Sequence, residues 1–171
     1  RLYRAALRRR AEGRRRRVNV AVATAAKSIV SQRVILAREG RNSWLVARMR
    51  SGWLVMSDTQ VVPGQLILLS DPVVGSRNDL DAGQRALFLA DMALAGDALL
   101  AVTGCLRVNY DILGNSDPAL HAHIVPRYAS EPEERRRMPI WLYDWGTAER
   151  FSEQTHGPLR RELADAVAPL S

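Results

Sequence analysis

The sequence predicts an α+β fold, with an antiparallel sheet of about five strands, one long helix packed on it and a further helix at the C-terminus. Three observations predict it: a series of short apolar runs broken by turn signals, one long helical stripe, and a pair of alternating segments after that stripe. Ile29–Leu36 is rich in β-branched residues and reads either as a strand or as the end of a helix, with Glu39-Gly40-Arg41-Asn42 as a turn. Trp44–Met49, Trp53–Ser57 and Gln65–Leu69 are apolar runs separated by Ser51-Gly52 and Pro63-Gly64, the pattern of antiparallel strands joined by tight connections. Asp81 with Gln84 forms an approximate capping box. Leu87, Phe88, Ala90, Met92, Leu94, Ala95, Leu99 and Val102 then share a broad helical stripe that Gly104 closes, giving a helix over 81–103. Arg107–Leu113 alternates polar Arg107, Asn109 and Asp111 with apolar Val108, Tyr110 and Ile112, so one face is buried and the other carries functional groups. A Gly114–Pro118 turn leads to a strand at Leu120–Val125. Glu131–Arg137 reads as solvated, the aromatics of Pro139–Trp145 as packing, and Leu159, Leu163, Val167 and Leu170 as a helix that Pro169 limits.

With 47% hydrophobic and 25% charged residues in 171, the chain can bury a core, which argues against disorder and disulfide scaffolds. The lone cysteine, Cys105, excludes an internal disulfide, and no uninterrupted apolar run approaches the roughly 18–20 residues that cross a bilayer. A cytoplasmic protein that does not span a membrane is the expectation. The net charge of +7 is unevenly placed, because Arg1–Arg17 holds nine arginines against one acid, Glu12. Residues 1–27 are therefore read as a basic extension and 28–171 as the domain. The extension reads as a solvated, poorly ordered segment, as an arm for nucleic acid or anionic lipid, or as a targeting segment in which Arg14–Arg17 precede Val18–Ala26. Its composition favours the first.

The chemistry is concentrated in Asn109–Tyr128, which holds two of the three histidines. Side chains alternate along a strand, so His121 and His123 share one face while Leu120, Ala122 and Ile124 turn to the other. Two histidines on one face suit a metal, but a stable site wants three or four ligands, and only the distant His156 and Cys105 remain. No metal and no cofactor is expected.

Ala119-Leu-His121-Ala-His123-Ile-Val-Pro126-Arg127 resembles the signature of the histidine-triad family of nucleotide hydrolases and transferases, in which histidines alternate with apolar residues ahead of Pro-Arg. The likeness runs from about Trp53 to Tyr128. Within it, Asn109 and the Gly114-Asn115-Ser116 turn sit where that family places phosphate-holding groups, and Asp58, ahead of Pro63-Gly64, sits in its ribose-binding segment. The departures are Ala119 at the first triad position, Gln65 in place of a histidine after the Pro-Gly, and Ser70-Asp-Pro-Val73 in place of Pro-Lys-x-His. The resemblance implies attack by His121 on the α-phosphate of a nucleotide or dinucleoside polyphosphate and a nucleotidyl-histidine intermediate. Histidine suits this role because a neutral imidazole is nucleophilic near pH 7. It further implies that His123 contacts the phosphate or protonates the departing oxygen, that Asn109, Asn115, Ser116 and Gln65 help hold the phosphate, that Asp58 accepts from a ribose hydroxyl, and that two copies pair as a homodimer. Each supporting residue has an ordinary structural alternative: Asn109 as a partner for nearby backbone, Asn115 and Ser116 as turn formers, Asp58 as a strand end, and Arg127 as a packing or surface residue. A nucleotide-binding protein with little turnover is the second reading, motivated by Ala119 and Gln65.

Overall fold

A computed structural model of the chain describes residues 28–168. The arginine-rich extension over residues 1–27 and the end of the C-terminal helix stripe at Leu170 lie outside the described residues.

The first element is a helix, α1 (Ile29–Arg38). The sequence alone leaves helix and strand open here because β-branched residues suit either; Ser28 decides it, accepting the Ser31 amide at 2.9 Å as an N-cap. Five strands follow the expected order with small shifts of boundary: β1 (Leu45–Met49), β2 (Gly52–Met56), β4 (Leu66–Ser70), β5 (Arg107–Asp111) and β6 (His121–Arg127). They form one antiparallel sheet ordered β1-β2-β4-β6-β5. The long helix α2 (Ala82–Thr103) begins with the reciprocal Asp81–Gln84 capping box and ends at Gly104, whose φ of 62° is left-handed.

By length and composition alone α2 is apolar enough to cross a bilayer, with a mean hydropathy of 1.7 over its best window. It serves instead as a core helix. Phe88, Ala95, Ala98 and Leu99 are buried against Leu54, Met56, Leu66, Leu68, Leu120, Ala122 and Ile124 on one face of the sheet. Asp91, also buried, accepts from both the amide and the hydroxyl of Ser51 at 2.6 Å. Gly96 permits close packing of β5, since a Cβ there would lie 1.9 Å from the Tyr110 hydroxyl.

The C-terminal helix, labelled α4 (Glu153–Val167) after the single turn α3 (Glu133–Arg136), begins well before Leu159. Gly157-Pro158 reads as a loop, but Ser152 caps the helix by accepting the Thr155 amide at 3.2 Å. The carbonyl that Pro158 leaves without its helical donor belongs to exposed Gln154. His156 is thus a buried helical residue rather than a loop residue; its Nδ1 accepts the Ser152 amide at 3.1 Å. Leu163 and Val167 add to the core beside α2.

The other face of the sheet positions the site. Over β2 and β4, Val30 and Val34 of α1 pack on Val55, Ile67, Leu69 and Ala119. Further along, Ile140 packs on Val125 and Val62. Between these two covers the sheet face stays open. A two-stranded ribbon at its margin pairs β3 (Thr59–Gln60) with β7 (Glu149–Arg150) and brings the C-terminal region beside Asp58.

Candidate active site

The gap between α1 and the 140–145 segment is a cleft of about 520 Å³. Its walls include Ile29, Val30 and Arg33 from α1, Ser57 and Asp58 after β2, the 113–117 loop, His121 and His123 from β6, and Trp141 and Trp145. The register explains the floor: Leu69 lies opposite His121 and Ile67 opposite His123, so the imidazoles rise beside these apolar side chains. As the strand period requires, Ala122 and Ile124 point the other way into the α2 core.

His121 Nδ1 lies 2.7 Å from the Ala119 carbonyl oxygen. A carbonyl can only accept, so Nδ1 carries a proton, and in the neutral ring the lone pair is on Nε2. The His121 and His123 rings sit 5.0 Å apart, edge to face. The second ring is further enclosed by Trp141, also edge to face at 4.7 Å, and its Nδ1 is buried with no partner among the described residues. Burial first, then the neighbouring His121 and Arg33, pushes the pKa of His123 down to about 4. It is neutral at pH 7.

Five of the seven residues singled out from sequence meet in this cleft: Asp58, Asn115, Ser116, His121 and His123. Asn109 does not line it. It lies on the free edge strand β5 and lines a second cavity of about 910 Å³, together with Arg107, Asp111, Arg136, Met138 and Pro139. Gln65 is fully buried, and neither its Nε2 nor its Oε1 meets a partner among the described residues.

Arg33 was not legible as a site residue, because its place depends on α1 being a helix. It pairs with Asp58 at 3.0 Å and lies over the Trp44 ring, while exposed Arg150 approaches the same carboxylate at 3.6 Å. The helical spacing Val30, Arg33, Val34, Ala37 was its available signal. Trp141 and Trp145, read as packing, stack on each other at 5.2 Å and also wall the cleft. The segment that carries them is tied to β6 by Arg127, which is buried rather than on the surface. Its guanidinium donates to Glu131, to the carbonyls of Arg135 and Met138, and at 2.6 Å to Tyr143. Burial and the hydrogen bond to Glu131 push the Tyr143 hydroxyl up to about 12. No cluster of three or more metal-ligating side chains occurs among the described residues.

Neither a family model nor a curated protein sequence matches the chain. Solved structures do. A histidine triad protein from Bradyrhizobium japonicum superposes with a TM-score of 0.64 at 20% identity, covering 77% of this chain and 95% of its own. One from Marinobacter aquaeolei gives 0.63 at 18% identity over 79% and 96%. A hypothetical histidine triad nucleotide-binding protein from Sulfolobus tokodaii gives 0.63 at 11% identity over 81% and 93%. At these identities the likeness concerns architecture. With the five-stranded sheet, the long helix packed on it and the paired histidines on β6, it establishes that this chain has the histidine-triad fold.

Proposed function

We propose that the protein is a hydrolase or transferase acting at the α-phosphate of a nucleotide, with His121 as nucleophile. The observation that carries this reading is the 2.7 Å bond from His121 Nδ1 to the Ala119 carbonyl, because in the neutral imidazole it assigns the proton to Nδ1 and the lone pair to Nε2, on a ring that lines the cleft. In the reaction, the Nε2 lone pair forms a bond to phosphorus as the bond to the leaving group breaks. The leaving group departs with that electron pair and takes its proton from water. Water then attacks phosphorus and gives up a proton to solvent, which balances the one taken by the leaving group; the P–Nε2 bond breaks, its electron pair returns to Nε2, and the nucleoside monophosphate leaves with the imidazole neutral again. Replacing that water by another acceptor makes the same chemistry a transfer.

His123, neutral at pH 7, suits a hydrogen bond to a phosphate oxygen better than proton donation. Asn115, Ser116 and the backbone of their turn are the further donors for the phosphate. Asp58 is assigned to a ribose hydroxyl, which would share the carboxylate with Arg33. Asn109 and Gln65 do not line the cleft and are given no contact with substrate. A homodimer through the free edge of β5 accompanies this reading, supported by the exposed Leu106, Tyr110 and Met138 along that edge.

Incubation with a dinucleoside polyphosphate or nucleoside phosphoramidate labelled at the α-phosphate, followed by acid-free quenching, should leave label on His121. His121→Ala should lose both label and turnover. Turnover persisting in that variant overturns the assignment. AMP binding by the wild type with no label and no product from either substrate class leaves a nucleotide-binding protein as the reading.

A further inference from the structure

Three buried side-chain atoms have no hydrogen-bond partner among the described residues: Gln65 Nε2, Gln65 Oε1 and His123 Nδ1. Enclosing a primary amide and a ring nitrogen without hydrogen bonds is costly, and the two residues lie on one face of the sheet. Leu66 pairs with Ile124 and points into the α2 core, whereas Ile67 pairs with His123 on the cleft face. The Ser57 amide donates to the Gln65 carbonyl at 2.9 Å, which continues the β2–β4 ladder by one step. Strand alternation therefore sets Gln65 on the side of Ile67. It is the diagonal neighbour of His123, a spacing that long side chains can span. Gln65 has no exposed surface and no part in the cleft wall, while the His123 ring lines the cleft.

We infer that Gln65 is a positioning residue for His123: one enclosed water joins the Gln65 amide to His123 Nδ1, so that the ring carries its proton on Nε2. A single water meets all three atoms at once. It accepts from Gln65 Nε2, gives one hydrogen to Oε1 of the same amide and gives the other to His123 Nδ1; about three bonds is what a buried water ordinarily makes. A neutral ring whose Nδ1 accepts is protonated at Nε2, and only that form can donate from Nε2 to an ionised phosphate oxygen, which can only accept. The two histidines then hold opposite tautomers. His121 keeps its lone pair on Nε2 for attack, and His123 keeps its hydrogen there for the phosphate. The use made of that hydrogen rests on the proposed nucleotide reaction, whereas the bridge itself does not.

Side-chain nitrogen NMR of the full chain at neutral pH should show His123 protonated at Nε2, with Nδ1 at the shift of a lone-pair nitrogen that accepts a hydrogen bond. A high-resolution crystal structure should place a water within hydrogen-bond distance of both Nδ1 and the Gln65 amide. Gln65→Met keeps the length of the side chain and removes the amide, and should move the Nδ1 resonance downfield to that of an unbonded lone pair. With a nucleoside phosphoramidate, kcat in that variant should fall about tenfold, a fraction of the loss from deleting a transition-state donor outright, with KM changed by less than about twofold. Gln65→Asn keeps an amide, leaves room for a second water and should retain the wild-type Nδ1 shift. A role in packing alone predicts lower stability in urea with the Nδ1 shift unchanged. A wild-type His123 protonated at Nδ1 overturns the inference, as does an Nδ1 resonance or a kcat unaltered in Gln65→Met. The tautomer and the water are read on the wild type, so the inference stands or falls even where Gln65→Met does not fold. The expected Nδ1 change, in a protein whose wild type turns over neither substrate class, upholds the bridge and overturns the nucleotide reaction.

Discussion

His123 illustrates how burial selects a role for a side chain. An imidazole enclosed by Trp141 and His121, with one nitrogen unpartnered among the described residues, binds a proton poorly because the charged form loses hydration that these neighbours do not replace. In the unfolded chain the same ring titrates near the ordinary histidine value of about 6.5. As pH falls below that value the unfolded state takes up a proton that the folded state refuses until about pH 4. Its contribution to stability is thus intact above about pH 6.5 and lost progressively as pH falls to about 4, amounting to on the order of 3 kcal/mol in that window. Urea unfolding at pH 7, 5 and 4 should show this loss in the wild type. It should be much reduced in His123→Asn, and equal slopes in the two proteins would refute the burial argument. A bound phosphate, placing negative charge beside the ring, should raise the His123 pKa, which NMR titration with and without AMP can follow.

At the scale of elements, the 131–145 segment has little regular structure, with one α-turn at Glu133–Arg136 and one 3-10 turn at Ile140–Leu142. Arg127 substitutes for a ladder by joining β6 to several points of the segment at once. Burial raises the pKa of Glu131, but hydrogen bonds from Arg127, Tyr143 and the Tyr128 amide outweigh it and hold the carboxyl below its usual value. Arg127→Met leaves that carboxylate without its cation and should cost about 3 kcal/mol by urea denaturation. Adding Glu131→Leu should recover much of the loss, since the buried charge then goes as well. Fluorescence of Trp141 and Trp145 should change in the single variant, reporting release of that wall.

The same segment marks where sequence stops being informative. Strands, α2 and the histidine pair were legible because hydrophobic period and capping chemistry are local, and Asp81, Gln84 and Gly104 announce their helix without help from elsewhere. Arg127, Arg33 and Asp117 were not, since each acquires its role from residues distant in sequence, as in the bond from Val30 to Asp117. Asn109 shows the converse. Its alternation on a strand next to the histidine strand is correct, with Asn109 opposite Val125, yet it sits two register pairs along the sheet from the pair that places Asp111 opposite His123. Register decides that distance, and period alone does not contain it.

Over the whole molecule the sheet has two free edges among the described residues, β1 and β5. Sheet proteins commonly cover or blunt such edges. Along this edge the exposed residues are Leu106, just before β5, with Arg107 and Tyr110 on it and Met138 nearby, and Leu106 remains 60% exposed. Sedimentation should therefore show a dimer for the wild type and a shift toward monomer for Leu106→Asp, with far-UV circular dichroism unchanged. A monomeric wild type at tens of micromolar would remove the edge as an interface.

Ala119 has no exposed surface, and it lies under α1 among Val30, Val34, Ile67 and Leu69. An imidazole at that position has no room unless the helix lifts, and lifting the helix would part the amide of Val30 from Asp117. The small side chain at 119 and the seated helix are two descriptions of one packing solution. A histidine placed at residue 119 alone would displace the helix that now walls the cleft.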